Sequence, residues 1–218
     1  MGTTYVSSLI NDTAVAKEFR ALAGQHSLLK TPKPMDTLQL KCRDTVATFL
    51  HPDPETKESI NNMSLVLKID YKDFSVLLTG DAEKDAEEIM LNSKPISDYL
   101  PSKVLKVGHH GSQTSTSQDF LDAVSPEIAV IHVGATNRYG HPHQETIDKI
   151  AECGAALYRT DQSGNILIQS DGYTYYVATD YRPTNEEQPG RDLEKNNHSS
   201  LSVYMIRFLF PPSHLVSL

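Results

Sequence analysis

Apolar and polar positions recur with a period that changes along the chain, and each change marks a new element. From Thr45 the period is that of strands: Val46 to Leu50, then Leu65, Leu67 and Ile69, then Phe74, Val76 and Leu78. Tyr71-Lys72-Asp73 is short enough for a hairpin. After Thr79-Gly80-Asp81 the period lengthens, with Ala82, Ala86, Ile89 and Met90 on one helical face and Glu83, Lys84, Glu87 and Glu88 on the other. Val104 to Val107 predicts a strand that stops at Gly108-His109-His110-Gly111-Ser112, followed by a short helix around Phe120, Leu121 and Val124. Ile128 to Val133 predicts a buried strand, Gly134 to Gly140 a polar turn, and His141-Pro142-His143 the start of another helix. Pro142 fits the first helical position, where a missing N–H costs nothing, so His141 is expected at or beside the N-cap. Ile147, Ile150 and Ala151 supply that helix's buried stripe. Leu157 to Arg159, Ile166 to Ile168 and Tyr173 to Ala178 complete the strands, with turns at Asp161-Gln162-Ser163-Gly164 and Asp171-Gly172. The mixed order predicts an α/β or α+β fold, a sheet core covered by helices.

The flanks differ. Ala14, Phe19, Leu22 and Ala23, following Asn11-Asp12-Thr13, predict one helix, which Thr31-Pro32-Lys33-Pro34 separates from the body. Past Asp180 the composition turns to Asn, Glu, Gln, Pro, Arg and Lys, which bury too little apolar area to offset ordering. The expected division is 1–40 helix and loop, 41–180 body, and 181–218 polar linker and short apolar tail.

Composition narrows the classes. With 218 residues and 39% hydrophobic positions the chain is long enough to build a core. Lys and Arg number 20 against 28 Asp and Glu, a net charge of -8, so contact with nucleic acid must be local rather than a general attraction. No transmembrane segment is expected, because no stretch approaches the roughly 20 apolar residues of a membrane span, and the N-terminus lacks a signal-peptide pattern. Cys42 and Cys153 are too few for a disulfide framework and are expected as reduced, packed thiols.

Three groups of chemistry-bearing residues fall at predicted strand ends: Asp81, the pair His109 and His110, and the pair His141 and His143. Carboxylate and imidazole are the donors that a divalent metal of borderline hardness takes, so together they predict a metal site. Singly, Asp81 could cap the next helix, and one member of a His pair could face solvent. His132 alternates with Ile128 and Val130 and is expected in the core. A Ser/His/Asp hydrolase using Ser112, a histidine and Asp81 is disfavoured, since no GxSxG elbow surrounds a serine. The Gly-Ser/Thr loop after the His pair, with the helix start after Pro142, suits a phosphate.

The motifs Asn61-Asn62-Met63-Ser64-Leu65-Val66-Leu67, Leu77-Leu78-Thr79-Gly80-Asp81, Val107-Gly108-His109-His110-Gly111-Ser112 with Ser115-Thr116-Ser117, Asn137-Arg138-Tyr139-Gly140-His141-Pro142-His143, and Tyr158-Arg159-Thr160-Asp161 with Gly164 run in one order. Over about residues 40 to 178 they resemble the metallo-β-lactamase-fold domain of the ComEC/Rec2 DNA-uptake proteins. The resemblance implies an αββα sandwich whose strand-end loops surround one or two divalent ions, Zn or Mn. It implies a nuclease or phosphodiesterase acting in competence, with single-stranded DNA as substrate and an association with the bacterial membrane. It implies Asp81, His109, His110 and His141 as metal ligands or their neighbours, with Asp81 and His110 catalytic. Ser112, Ser115, Tyr139 and His143 are expected to face substrate, and His51 sits where the superfamily often has another ligand or where a turn histidine is equally at home.

The departure is the absent HxHxDH signature. The chain therefore resembles only the C-terminal portion of that domain, without its ligand-rich N-terminal half and without a membrane channel domain, either of which becomes an expected partner. The competing reading is a non-catalytic fragment or binding module that needs a partner half to form an active site. A lone half-sandwich is expected to expose an apolar sheet face built by Leu65, Leu67, Ile69, Phe74, Val76 and Leu78 or their alternates.

Overall fold

The computed structural model describes residues 2–8, 13–40, 44–55, 58–181 and 204–206. Cys42, the Asn11-Asp12 part of the predicted cap, and nearly all of the predicted linker and tail lie outside them. At the start, β1 (Gly2–Tyr5) and β2 (Ser27–Lys30) pair in parallel across α1 (Ala14–His26). Thr13 caps α1 by accepting the Ala16 N–H, and α1 buries none of its residues.

The body is a seven-stranded mixed sheet in the order β3 (Thr37–Gln39), β4 (Thr45–His51), β5 (Val66–Tyr71), β6 (Phe74–Leu78), β7 (Val104–Lys106), β8 (Ile128–Ile131), β9 (Ala156–Arg159). β3 to β6 are antiparallel neighbours, joined at β5–β6 by the predicted hairpin, with Lys72 at φ 53°. β6 to β9 are parallel. Their crossovers carry α2 (Lys84–Asn92), α3 (Gln118–Val124) and α4 (Gln144–Glu152). Parallel connections share one hand, so successive crossovers in one direction put all three helices on one face. Leu77, Leu105, Ala129 and Ile131 point to that face and pack with Ala86, Met90, Phe120, Leu121, Val124 and Ile150.

On the other face β10 (Ile166–Ser170) and β11 (Tyr175–Thr179) form an antiparallel pair, which β12 (Tyr204–Ile206) extends beside β10. Ile166 and Ile168 cover Phe74, Val76, Val104, Ile128 and Val130. The result is a helical layer, a large sheet and a small sheet. It fits the mixed α/β class and corrects one expectation: Phe74 and Val76 are buried under β10, while the half-buried Leu65, Leu67, Ile69 and Leu78 of the named sheet face keep part of their surface open. More open apolar positions are Val15, Phe19 and Leu22 on α1, Leu28 on β2 and Ile60.

Two local readings also change. The N-cap of α4 is His143, so Pro142 precedes the helix rather than opening it; Thr146 and Ile150 are its buried residues, while Ala151 is exposed. Glu87, read as part of the polar face of α2, is buried at 3% exposure.

Candidate functional site

The C-terminal ends of parallel strands share one edge, and the loops there form the crevice in which open α/β sheets bind ligands. Asp81 follows β6, His109 and His110 follow β7, and His132, His141 and His143 lie between β8 and α4. The topology therefore brings together the three groups that the sequence separates.

Gly80 turns the chain at φ +59°, and a Cβ there would stand 2.9 Å from the Ser64 Cβ. The close approach lets Ser64 Oγ accept the Asp81 N–H at 3.0 Å. Below it, Lys106 reaches up from β7 to donate to the Gly80 carbonyl, with its ammonium 3.9 Å from Asp81 Oδ1. Burial pulls this ammonium down to about 8, against the attraction of Asp81.

His109 and His110 both adopt left-handed backbone, at φ 43° and 55°. Each costs strain that surrounding contacts must hold, and such strain gathers at functional sites. His110 Nδ1 donates to the His132 carbonyl at 2.8 Å, which leaves Nε2 3.4 Å from Asp81 Oδ1. A ring nitrogen fixed by a backbone carbonyl is the usual way a ligand histidine is aimed. His109 Nδ1 donates instead to Glu83 Oε1 at 3.1 Å, and Thr114 Oγ1 donates to the same oxygen at 2.6 Å. The His109 and His141 rings are 5.6 Å apart, those of His141 and His143 5.0 Å. Burial, then the neighbouring histidines, lower the His141 pKa.

The donor chemistry of Asp81 and His110 fits part of a metal site: a carboxylate oxygen and an imidazole nitrogen 3.4 Å apart can share a divalent cation, as they can share a proton. Among the described residues, however, no group of three or more His, Cys, Asp or Glu converges to hold an ion. His132 is half-buried, and burial, then Lys106 and His110, depress it to about 4. His51 is buried at the end of β4, where Nε2 donates to the Asn62 carbonyl at 2.5 Å.

Of the residues expected to face substrate, Tyr139 is exposed and His143 partly so. The other two lie buried. Ser115 is fully buried, donating to the Gly108 and Ser112 carbonyls, and Ser112 is buried with its hydroxyl on Thr114. They shape the loop from inside. Glu87 completes that work, accepting the Thr116 N–H and, at 2.8 Å, the Ser117 N–H.

The positioning residues Glu83, Thr114, Asn62 and Glu87 escape a reading by periodicity because each is tied to a distant loop. Asn62, buried, accepts the Glu83 N–H at 2.9 Å and donates to Asp85 at 3.3 Å. The only sequence signal for it is its place in the Asn61-Asn62-Met63-Ser64 motif.

No family model matches the chain. It is 37% identical over 157 residues to ComE operon protein 3 of Bacillus subtilis, a match covering 69% of this chain and 20% of that protein. Over this stretch the chain is homologous to ComEC-family competence proteins. Competence protein ComA of Neisseria gonorrhoeae is 40% identical over 53% of the chain and 16% of its own length, and Recombination protein 2 of Haemophilus influenzae 36% identical over 55% and 15%. The chain thus spans about a fifth or less of these ComEC-family relatives. A continuous match over 69% of 218 residues contains about residues 70 to 149 wherever it begins, so Asp81, His109, His110 and His141 all lie inside it. A crystal structure from Parabacteroides distasonis, provisionally called a metal-dependent hydrolase, matches 73% of this chain and 76% of that one at 11% identity, with a TM-score of 0.42. Among the described residues no helix is long and apolar enough to cross a membrane.

Proposed function

We propose that this chain supplies the C-terminal portion of a metal-dependent phosphodiester hydrolase that acts on single-stranded DNA during uptake. The observation that carries the reading is the facing pair Asp81 and His110, with His110 aimed by the His132 carbonyl, within the stretch homologous to competence proteins. A divalent ion, Zn or Mn, would supply a water of lowered pKa and polarise a phosphoryl oxygen. Asp81 and His110 would hold that ion. His109, its Nδ1–H given to Glu83, can take a proton at Nε2 and, as the imidazolium, hand it to the leaving oxygen, and His141 flanks it. The remaining donors come from outside the described residues: the absent HxHxDH half, or a neighbouring part of a full-length protein with a membrane channel.

A second reading, a binding module without turnover, is favoured by the lack, among the described residues, of a third donor beside Asp81 and His110. The two are separated by a cleavage assay with Mn²⁺ on single-stranded DNA, run on the chain alone and with an added segment bearing an HxHxDH loop. The hydrolase reading expects little cleavage alone and cleavage dependent on Asp81 and His110 once the segment is present. Binding of the segment with no cleavage, or cleavage indifferent to Asp81→Ala, favours the binding module.

A further inference from the structure

The loop of residues 134 to 141 contains one side chain that ties it together and one that it turns outward. Asn137 Oδ1 accepts the N–H groups of Tyr139 at 3.2 Å and His141 at 3.0 Å, and Asn137 Nδ2 donates to the carbonyls of Gly134 at 3.0 Å and His141 at 2.8 Å. Four bonds from one amide hold the loop to a single shape. On that frame Tyr139 is 79% exposed, the most open large apolar side chain among the described residues. Its ring lies 5.8 Å from that of His141 and within 28° of parallel. Through His141 it is one ring away from His109. Arg138, beside it, is exposed and makes no hydrogen bond or ion pair among the described residues.

The approach past Glu83 and Thr114 is unsuited to a phosphate backbone. There an open groove of about 550 Å³ is lined by Glu83, Asp85 and Glu145 against one cation, Lys84, with Gln113 and Thr114. Three carboxylates repel a polyanion that the chain's net charge of -8 already discourages. The 134–141 loop offers the reverse pairing, an aromatic face and a free guanidinium on adjacent residues.

We propose that Tyr139 is a stacking platform for one unpaired nucleobase, with Arg138 on the adjoining phosphate, so that the strand entering the site is selected as single-stranded. The proposal rests on reading the site as one for phosphodiesters and adds how the strand is chosen. Every base has a π-face, so stacking is indifferent to sequence, but in a duplex both faces of a base are already covered. A ring held on a rigid loop also gives up little freedom when a base lies on it.

The test is fluorescence anisotropy on the full chain with metal removed by chelation, so that no cleavage intervenes. The probes are a labelled oligothymidylate, an abasic strand of equal length and a duplex. Tyr139→Ala is expected to weaken oligothymidylate binding roughly tenfold and to leave the abasic strand and the duplex, both weak on the wild type, unchanged. Tyr139→Phe should bind as the wild type does, and Arg138→Ala should lower the salt dependence of binding. The proposal is overturned if Tyr139→Ala binds oligothymidylate like the wild type, loses equally on the abasic strand, or if the wild type does not bind oligothymidylate. None of those results touches hydrolysis. Failure of the segment-complemented chain to cleave a base-free phosphodiester with Mn²⁺ would instead remove the hydrolase reading and leave the platform standing.

Discussion

Glu87 reaches from α2 to the backbone of Thr116 and Ser117 across the site loop, and it accepts both N–H groups from a buried position. The contact joins the first crossover helix to the start of α3, whose N-cap is Ser117. Glu87→Ala would strand the buried Thr116 N–H and the half-buried Ser117 N–H and should cost about 2–3 kcal/mol in urea unfolding. Glu87→Gln, which keeps an acceptor oxygen, should cost less than half of that. Equal stability of wild type and Glu87→Ala would show that the loop is held by other means.

Gly111 makes a comparable demand on shape. It sits at φ +82°, and an added Cβ would stand 2.6 Å from the Pro142 Cβ. Gly111→Ala therefore meets backbone strain and overlap at once and is expected to destabilise by about 3 kcal/mol. A change within about 0.5 kcal/mol would mean that the 141–143 segment yields without cost.

The carboxylate of Glu83 orients His109. In the neutral ring, Nδ1 carries the proton because it donates to Glu83 at 3.1 Å. Side-chain ¹⁵N spectra should report the Nδ1–H tautomer of His109 in the wild type and a shift toward Nε2–H in Glu83→Ala. An unchanged tautomer would remove Glu83 from the positioning role.

Acid should weaken the fold through buried histidines. Burial lowers the His51 pKa from 6.5 against the raising effects of its Asn62 hydrogen bond, Glu58 and Asp53. His132 is lowered in the same way to about 4. The unfolded chain then binds more protons than the folded one below about 6.5, so stability is complete above that pH and falls as pH drops toward the folded values. The denaturation midpoint should decline from about pH 7 to about pH 5, and His51→Gln should decline less. A midpoint that rises on acidification would contradict the sign.

Much of the fold was legible because the crossover helices bury one stripe, while β4 and β8 are short apolar runs buried almost throughout, and period and run length report both. The three strand-end groups were legible too, since Gly80-Asp81, His109-His110 and His141-Pro142-His143 interrupt apolar runs. What was not legible depends on contacts far apart in sequence. Glu87 has the spacing of a solvent-facing residue until α2 packs beside the Thr116 loop. Ser115 has the composition of a substrate loop until its hydroxyl turns inward to the Gly108 carbonyl. The coverage of Phe74 and Val76 by β10 required knowing where Ile166 and Ile168 return.

The central claim is that Asp81 and His110 form one cation-holding pair. Calorimetric titration of the purified chain with Mn²⁺ and with Zn²⁺, beside Asp81→Ala and His110→Ala, tests it directly. The account predicts binding by the wild type that is weakened at least tenfold, about 1.4 kcal/mol, in each variant. Equal, weak binding by all three proteins would contradict it.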